Sequence, residues 1–119
     1  SIVAEGCCVQ SGSVLENAIV GVRCQVGRNV TIRNSIVMGS DNFDPCQPAD
    51  ELNDRPCLGI GAGSVIENAI VDKNCRIGRN VRIAPRPDLE PNCDIKGVYI
   101  RDGIIVVPKE SVLPDGWTL

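Results

Sequence analysis

The sequence contains no histidine. That removes the imidazole general base, the Ser–His and Cys–His nucleophilic pairs, and every His-ligated metal site. Rings are nearly absent as well: one Phe, one Tyr and one Trp in 119 residues, with a single Met. No apolar run approaches the roughly 20 residues of a membrane helix, and no basic stretch leads into an apolar one as in a signal peptide. Neither a GxxxxGK[ST] phosphate loop nor a GxGxxG segment is present. The net charge of −3 gives no overall drive toward nucleic acid. The seven cysteines are odd in number and contain no CxxC, which indicates neither a disulfide framework nor a zinc ribbon. Two readings of them stand: thiols used as small apolar residues in a reducing cytosol, or a redox-sensitive pair such as Cys46 and Cys57.

What replaces the missing rings is β-branched. Thirteen Ile and fifteen Val make up most of the apolar material, which suits pleated strands and penalises helices. These residues recur with a fixed register. LENAIV at 15–20 returns as IRNSIV at 32–37 and IENAIV at 66–71. Residues 12–33 match 63–84 at 14 of 22 positions, an offset of 51, or three periods of 17. Large aliphatics step by six, six and five: Val9, Leu15, Val20, Val26, Ile32, Val37, then Ile60, Ile66, Val71, Ile77, Ile83. A compact residue sits two places before most of them, as Cys7, Ser13, Ala18, Cys24, Val30 and Ser35 do in the first series.

Two inward positions per step, with a turn between steps, predict a triangular coil of three short strands and three corners. Each coil buries its apolar face only against its neighbours. Gly27, Gly61 and Gly78 follow the large aliphatic, where the corner is expected to need unusual φ/ψ. Asn17, Asn29, Asn34, Asn68, Asn74 and Asn80 fall on outward positions near corners, where Asn tolerates the left-handed region.

Two interruptions break the register. Val37 to Ile60 spans 23 residues where six are expected. The excess of 17 equals one coil, but Pro45, Pro48, Pro56 and five acids (Asp41, Asp44, Asp50, Glu51, Asp54) predict a loop over 40–57 instead. A second loop is expected over 85–97, which carries Pro85, Pro87 and Pro91. Register returns through Val107, Leu113 and Leu119, with Trp117 expected to cover an open end. The predicted organisation is one all-β domain of about six coils: coils over 1–39, loop 40–57, coils over 58–84, loop 85–97, and terminal strand and coil over 98–119. Val3 already stands six before Val9 and the chain opens on Ser1, so a fragment of a longer polypeptide is expected.

Charge is unevenly placed. Residues 73–86 hold Lys73, Arg76, Arg79, Arg82 and Arg86 with no acid among them, and Arg23, Arg28 and Arg33 add a second outward positive set. Such residues form either the solvated face of a solenoid or an anion site for phosphoryl groups.

The steps of six with a leading aliphatic resemble the hexapeptide-repeat families, whose fold is a single-stranded left-handed parallel β-helix. That resemblance implies the left hand, an exception to the usual crossover preference. LGIGAGSVIENAIVDKNCRIGRNVRIA (58–84), GVYIRDGIIVVPKESVLPDG (97–116) and SIVMGSDNFD (35–44) are more specific. They resemble the C-terminal domain of the glucose-1-phosphate adenylyltransferase (ADP-glucose pyrophosphorylase) family, of the type found in plants and cyanobacteria. The likeness covers nearly the whole chain and lapses inside 40–57, around 85–96 and at the closing GWTL.

The resemblance implies a regulatory and oligomerisation domain of an enzyme that makes ADP-glucose from ATP and glucose 1-phosphate for glycogen or starch. Nothing in this chain matches the family's Gly-rich catalytic loop, so no catalysis and no cofactor are expected of the chain itself; magnesium belongs to the parent enzyme. The implied partners are an N-terminal catalytic domain, sister subunits of a homo- or hetero-oligomer, with a tetramer expected, and phosphorylated sugar or glycolytic effectors, with no nucleic acid and no membrane. The implied location is the cytoplasm, or the plastid in a plant or alga. Lys73 and Lys109 match Lys positions that the plant-type family uses for activator binding; Arg76 and Arg79 are the further candidates, and Lys96 matches none. By count, Lys73 and Lys109 are expected about two coils apart. Three alternatives are weighed against this. One is a purely structural assembly solenoid of another sugar-nucleotide pyrophosphorylase. A hexapeptide acyltransferase and a γ-class carbonic anhydrase both resemble the coil pattern but rely on His.

Overall fold

The computed structural model describes residues 2–40, 59–85, 90 and 92–119. Cys46, Cys57, the five acids of 41–54 and Arg86 lie outside the described residues.

The 17-residue register becomes a stack of coils. The first coil holds β1 (Ile2–Val3), β2 (Cys8–Val9) and β3 (Val14–Glu16). The second holds β4 (Ile19–Val20), β5 (Gln25–Val26) and β6 (Thr31–Arg33). The third holds β7 (Ile36–Val37), β8 (Gly59–Ile60) and β9 (Val65–Glu67), and the fourth β10 (Ala69–Val71), β11 (Arg76–Ile77) and β12 (Arg82–Ile83). The chain then forms β13 (Cys93–Ile95), β14 (Val98–Arg101), β15 (Ile104–Val107) and β16 (Val112–Leu113). No helix occurs among the described residues.

Every third strand pairs with its counterpart one coil away, giving three sheets that wall a triangular prism. Face A stacks β1, β4, β7, β10 and β15 in parallel, and then adds β14 and β13. Face B stacks β2, β5, β8, β11 and β16, and face C stacks β3, β6, β9 and β12. Thr118 bridges Arg82 on face C and so completes a fifth coil. There are five coils among the described residues rather than six, because the two interruptions use the remaining length. Val26 pairs directly with Ile60, 34 positions on, so no coil intervenes at the first interruption.

The core is the set of stacked aliphatics. Leu15, Ile32, Ile66 and Ile83 lie in register on face C, and Val20, Val37, Val71 and Val107 on face A. Ile32, Ile66 and Ile83 have no exposed surface. Burying each such side chain is worth about 1.5–3 kcal/mol, which supports strands of only two to four residues. The inward serines Ser13, Ser35, Ser64 and Ser111 sit among the aliphatics with their hydroxyls paired. Ser64 donates from Oγ to the Gly78 carbonyl (2.9 Å) and accepts from the Val81 amide (3.2 Å), tying one coil to the next. Ser13 does the same with Gly27 and Val30. Trp117 packs half-buried against the core in the last coil.

The corners divide labour between two residue types. All six predicted asparagines adopt positive φ, between 48° and 60°. The expectation for Gly27, Gly61 and Gly78 needs correction, because none of them has positive φ. They are glycine because the next coil passes too close: a Cβ on Gly27 would meet the Ala62 amide nitrogen at 2.7 Å, and one on Gly61 would run into the Gly78 carbonyl.

Both expected loop boundaries shift. Ser40, placed in the loop over 40–57, still belongs to its coil: it is buried and its amide donates to the Val22 carbonyl (2.9 Å). The stretch 85–97, read as loop, contains β13, which pairs antiparallel with β14, and β14 pairs antiparallel with β15. Two-residue turns at Lys96–Gly97 and Asp102–Gly103 join them, with positive φ at all four residues, the backbone of a type I′ hairpin. β15 thereby re-enters the stack beside β10 after the chain has folded back on itself.

Candidate functional site

The basic residues are best placed by the corner each occupies. Between faces A and B, successive coils lay the turns Val22–Arg23, Gly39–Ser40, Lys73–Asn74 and Lys109–Glu110 over one another. Amide-to-carbonyl bonds run from Ser40 to Val22, from Asn74 to Gly39 and from Glu110 to Lys73, at 2.9, 3.1 and 2.9 Å. Lys73 and Lys109 are therefore equivalent residues of adjacent coils, with flanking strands in register at Val71 and Val107 and at Arg76 and Val112. The expectation of two coils is corrected. Their separation of 36 is one period of 17 plus 19 residues spent on the hairpin. Parallel strands lie about 4.8 Å apart, so their backbones sit at that spacing.

Lys73 is half-buried and Lys109 exposed. The Lys73 amide is held by the Asp72 carboxylate (2.7 Å), which fixes the turn. Asn74 (φ 60°) and Glu110 (φ 63°) supply the left-handed residue that each turn needs.

The four candidates do not all converge. Arg76 faces outward from β11 on face B, next to the corner that carries Lys73. Arg79 stands at the corner between faces B and C, a full side of the triangle away, where its amide donates to Asp115 Oδ1 (2.8 Å). The structure groups Lys73, Lys109 and Arg76 and separates Arg79 from them. The second positive set is also dispersed. Arg23 shares the Lys73 corner and donates from Nε to the Ser40 carbonyl (3.1 Å). Arg28 shares the Arg79 corner, where its carbonyl accepts from the Gly63 amide. Arg33 lies on face C between Glu16 (3.2 Å) and Glu67 (3.8 Å), where its charge is neutralised. Lys96 donates to the Thr118 carbonyl (2.8 Å), clipping the hairpin to the chain end.

Of the five described cysteines, Cys24 and Cys75 are buried and fit the small-apolar reading, Cys7 and Cys93 are half-buried, and Cys8 is exposed. Cys24 is buried, and burial, with Cys7 nearby, pushes its thiol up to about 12. Burial also raises Cys75, with Asp72 adding to the rise and backbone hydrogen bonds from Ser111 and Glu110 opposing it. Both are protonated and poorly nucleophilic at neutral pH. No cluster of metal-ligating side chains occurs among the described residues.

A profile of the GLGC left-handed parallel β-helix domain matches residues 1–118. The chain belongs to that family. The coil of the GLGC domain is left-handed, which gives the prism its hand. Membership also associates the chain with ADP-glucose pyrophosphorylase-like proteins, a nucleotidyltransferase setting. In this GLGC domain the corner between faces A and B gathers cationic side chains from adjacent coils.

One signal went unused in the sequence. The residue before the large aliphatic is Ile on four successive strands of face A (Ile2, Ile19, Ile36, Ile70), while the equivalent residues on face B are Cys8, Gln25, Gly59 and Arg76. The Asp102–Gly103 pair between apolar runs likewise marks a hairpin.

Proposed function

We propose that this GLGC domain is the regulatory and assembly domain of an ADP-glucose pyrophosphorylase, and that the corner carrying Lys73 and Lys109 binds the phosphoryl group of an effector. The observation behind this is the stacking of those two lysines on adjacent coils, joined by the Glu110 amide to the Lys73 carbonyl. Lysines on neighbouring rungs bring two ammonium donors to one corner, and a dianionic phosphoryl group there can accept charge-assisted hydrogen bonds from both. Arg76, on the adjoining face, supplies a planar donor to the same anion. Arg79 is too far along the coil to join them and is assigned no part. Asp72 and Glu110 flank the lysines and limit the net positive charge, which favours a compact phosphorylated metabolite over a polyanion.

In this reading catalysis lies in a separate nucleotidyltransferase domain that uses magnesium, in the cytoplasm or plastid, and the β-helix conveys effector occupancy to it. The test is activation of the whole enzyme by 3-phosphoglycerate or fructose 1,6-bisphosphate. Lys73→Ala and Lys109→Ala should each weaken activation by roughly 10-fold or more, as loss of a charge-assisted contact implies, while Arg79→Ala should leave it unchanged. Activation curves that do not move in either lysine variant would remove the site assignment.

A further inference from the structure

Coil position, not sequence position, decides which cysteines can meet. Cys7 and Cys8 are neighbours in the chain, but successive side chains of an extended segment point to opposite sides. Cys8 is exposed on β2, whereas Cys7 packs against the core. Cys7 and Cys24 stand one period apart, and the strands that follow them are in register, Cys8 with Gln25 and Val9 with Val26. The Cys8 amide donates to the Cys24 carbonyl (3.0 Å). Cys7 and Cys24 are therefore equivalent inward residues of the first and second coils, with Cα atoms at the rung spacing of about 4.8 Å. A disulfide spans Cα atoms about 4.4–6.8 Å apart. Cys75 holds the same position in the fourth coil, two rungs beyond Cys24, and at about 10 Å it is too far to be bridged. Cys93 stands on the hairpin, three strands beyond β10. The register selects one pair.

The Cys7 sulfur already reaches across the gap between the coils. Its thiol donates to the Gly21 carbonyl of the second coil (2.8 Å). Ser13, the next small inward residue, shows where that reach leads. Its Oγ makes the same bond to the carbonyl 14 residues on, that of Gly27, and lies 3.2 Å from the amide of Val30, its own counterpart one coil away. The counterpart of Cys7 is Cys24, and Cys7 is close enough to add to the rise of the Cys24 thiol. A bridge needs Cβ atoms about 3.5–4.5 Å apart, slightly less than the rung spacing. The first coil has the freedom to close that difference, because β1, β2 and β3 each pair on one side only among the described residues.

We propose that Cys7 and Cys24 are a dithiol that a small-molecule disulfide oxidises to an intramolecular disulfide, stapling the first coil to the second. Cys7 is half-buried and is the thiol that an oxidant reaches; Cys24 is buried. The Cys7 thiolate attacks one sulfur of the oxidant and expels the other half as a thiolate. Cys24 passes its proton to solvent and attacks the Cys7 sulfur, and the second half of the oxidant leaves. The chain loses two protons and two electrons and gains one S–S bond, while the oxidant becomes two thiols. Burial holds the Cys24 proton tightly. That slows closure, and it slows reductive opening too, because Cys24 is then the leaving thiolate. The link is a slow latch. It closes a 17-residue loop and removes freedom from the unfolded chain. The lysine corner takes no part in it.

The test is incubation of the chain with glutathione disulfide at about pH 8, where a thiolate is available, followed by blocking of free thiols and digestion with trypsin. Cleavage after Arg23 leaves Cys7 on residues 1–23 and Cys24 on residues 24–28. These two peptides should be recovered linked, in the wild-type chain and in Cys8→Ser alike. The oxidised chain should melt more than about 5 °C above the reduced one. Dithiothreitol should reverse that shift, and Cys24→Ser should abolish it. Serine is already the inward residue at the corresponding place in the last coil, Ser111, and Cys7→Ser gives the same readout should Cys24→Ser fold poorly. A Cys8→Ser chain that holds glutathione on Cys7 without ever linking the two peptides overturns the proposal. So does a linked chain that melts no higher than the reduced one.

Discussion

Neighbouring residues of face A meet opposite environments. Val20, Val37, Val71 and Val107 point into the prism and are buried, while Ile19 and Ile36, one residue earlier, point out and are exposed. Both rows are β-branched, both stack in register, and both would read as core by composition. The inward row is required by folding, since each coil has no other way to bury its apolar side. The outward row is not required by folding, as the charged and polar residues at equivalent places on faces B and C demonstrate. An aliphatic that the fold does not demand points to a contact outside the coil.

The sharpest way to break this distinction is to truncate an inward residue. Ile66→Ala should cost about 2–5 kcal/mol in denaturant unfolding, because the stacked neighbours Ile32 and Ile83 cannot close the space. Val112→Ala, at an outward position, should stay within about 1 kcal/mol of wild type; equal losses would end the distinction.

An intermediate effect is expected from pH. Folding raises the Cys24 thiol from its ordinary 9.0 to about 12, so the folded state favours the protonated form. The stability this provides is complete below about pH 9 and falls as pH rises toward 12. Unfolding free energies measured across that window should decline less steeply in Cys24→Ala, and an identical slope would show that the inward thiol is not protected.

The smallest effect belongs to the outward ion pairs. Arg33→Ala removes the partner of both Glu16 and Glu67 on face C and should cost under about 1 kcal/mol, with salt erasing the difference. A larger, salt-resistant loss would give this outward row a structural part that face A lacks.

The triangular coil was legible because its period is rigid: a single slip would turn every stacked aliphatic outward, so the spacing survives in the sequence at each turn. The asparagine corners were legible for the same reason, since only a few side chains accept positive φ. The corner glycines were misread because close approach of the next coil leaves no mark on φ and cannot be seen within one turn. The hairpin of β13, β14 and β15 was missed where register lapsed, although Lys96–Gly97 and Asp102–Gly103 carried the turn chemistry. The lysine corner was half legible. Resemblance singled out Lys73 and Lys109, but counting residues could not show that the chain spends 19 of them on a detour before returning to the next rung. Arg79 was grouped with them by proximity in sequence, which a triangular coil converts into distance around a corner.

The direct pairing of Val26 with Ile60 also bears on the order of folding. The interruption falls inside the third coil, between β7 and β8. Contacts among β1 to β7, and among β8 to β12, close loops of 17 residues. Contacts that join these two sets close loops of 34, and those that seat β15 and β16 close loops of 36. Doubling a loop adds only about 0.6 kcal/mol of closure entropy, but that increment applies at every stage where the coil crosses an interruption. The two interruptions therefore divide the solenoid into blocks of short loop closure: β1 to β7 are expected to zip together, β8 to β12 likewise, and the two blocks to join before the hairpin lays down the last coil.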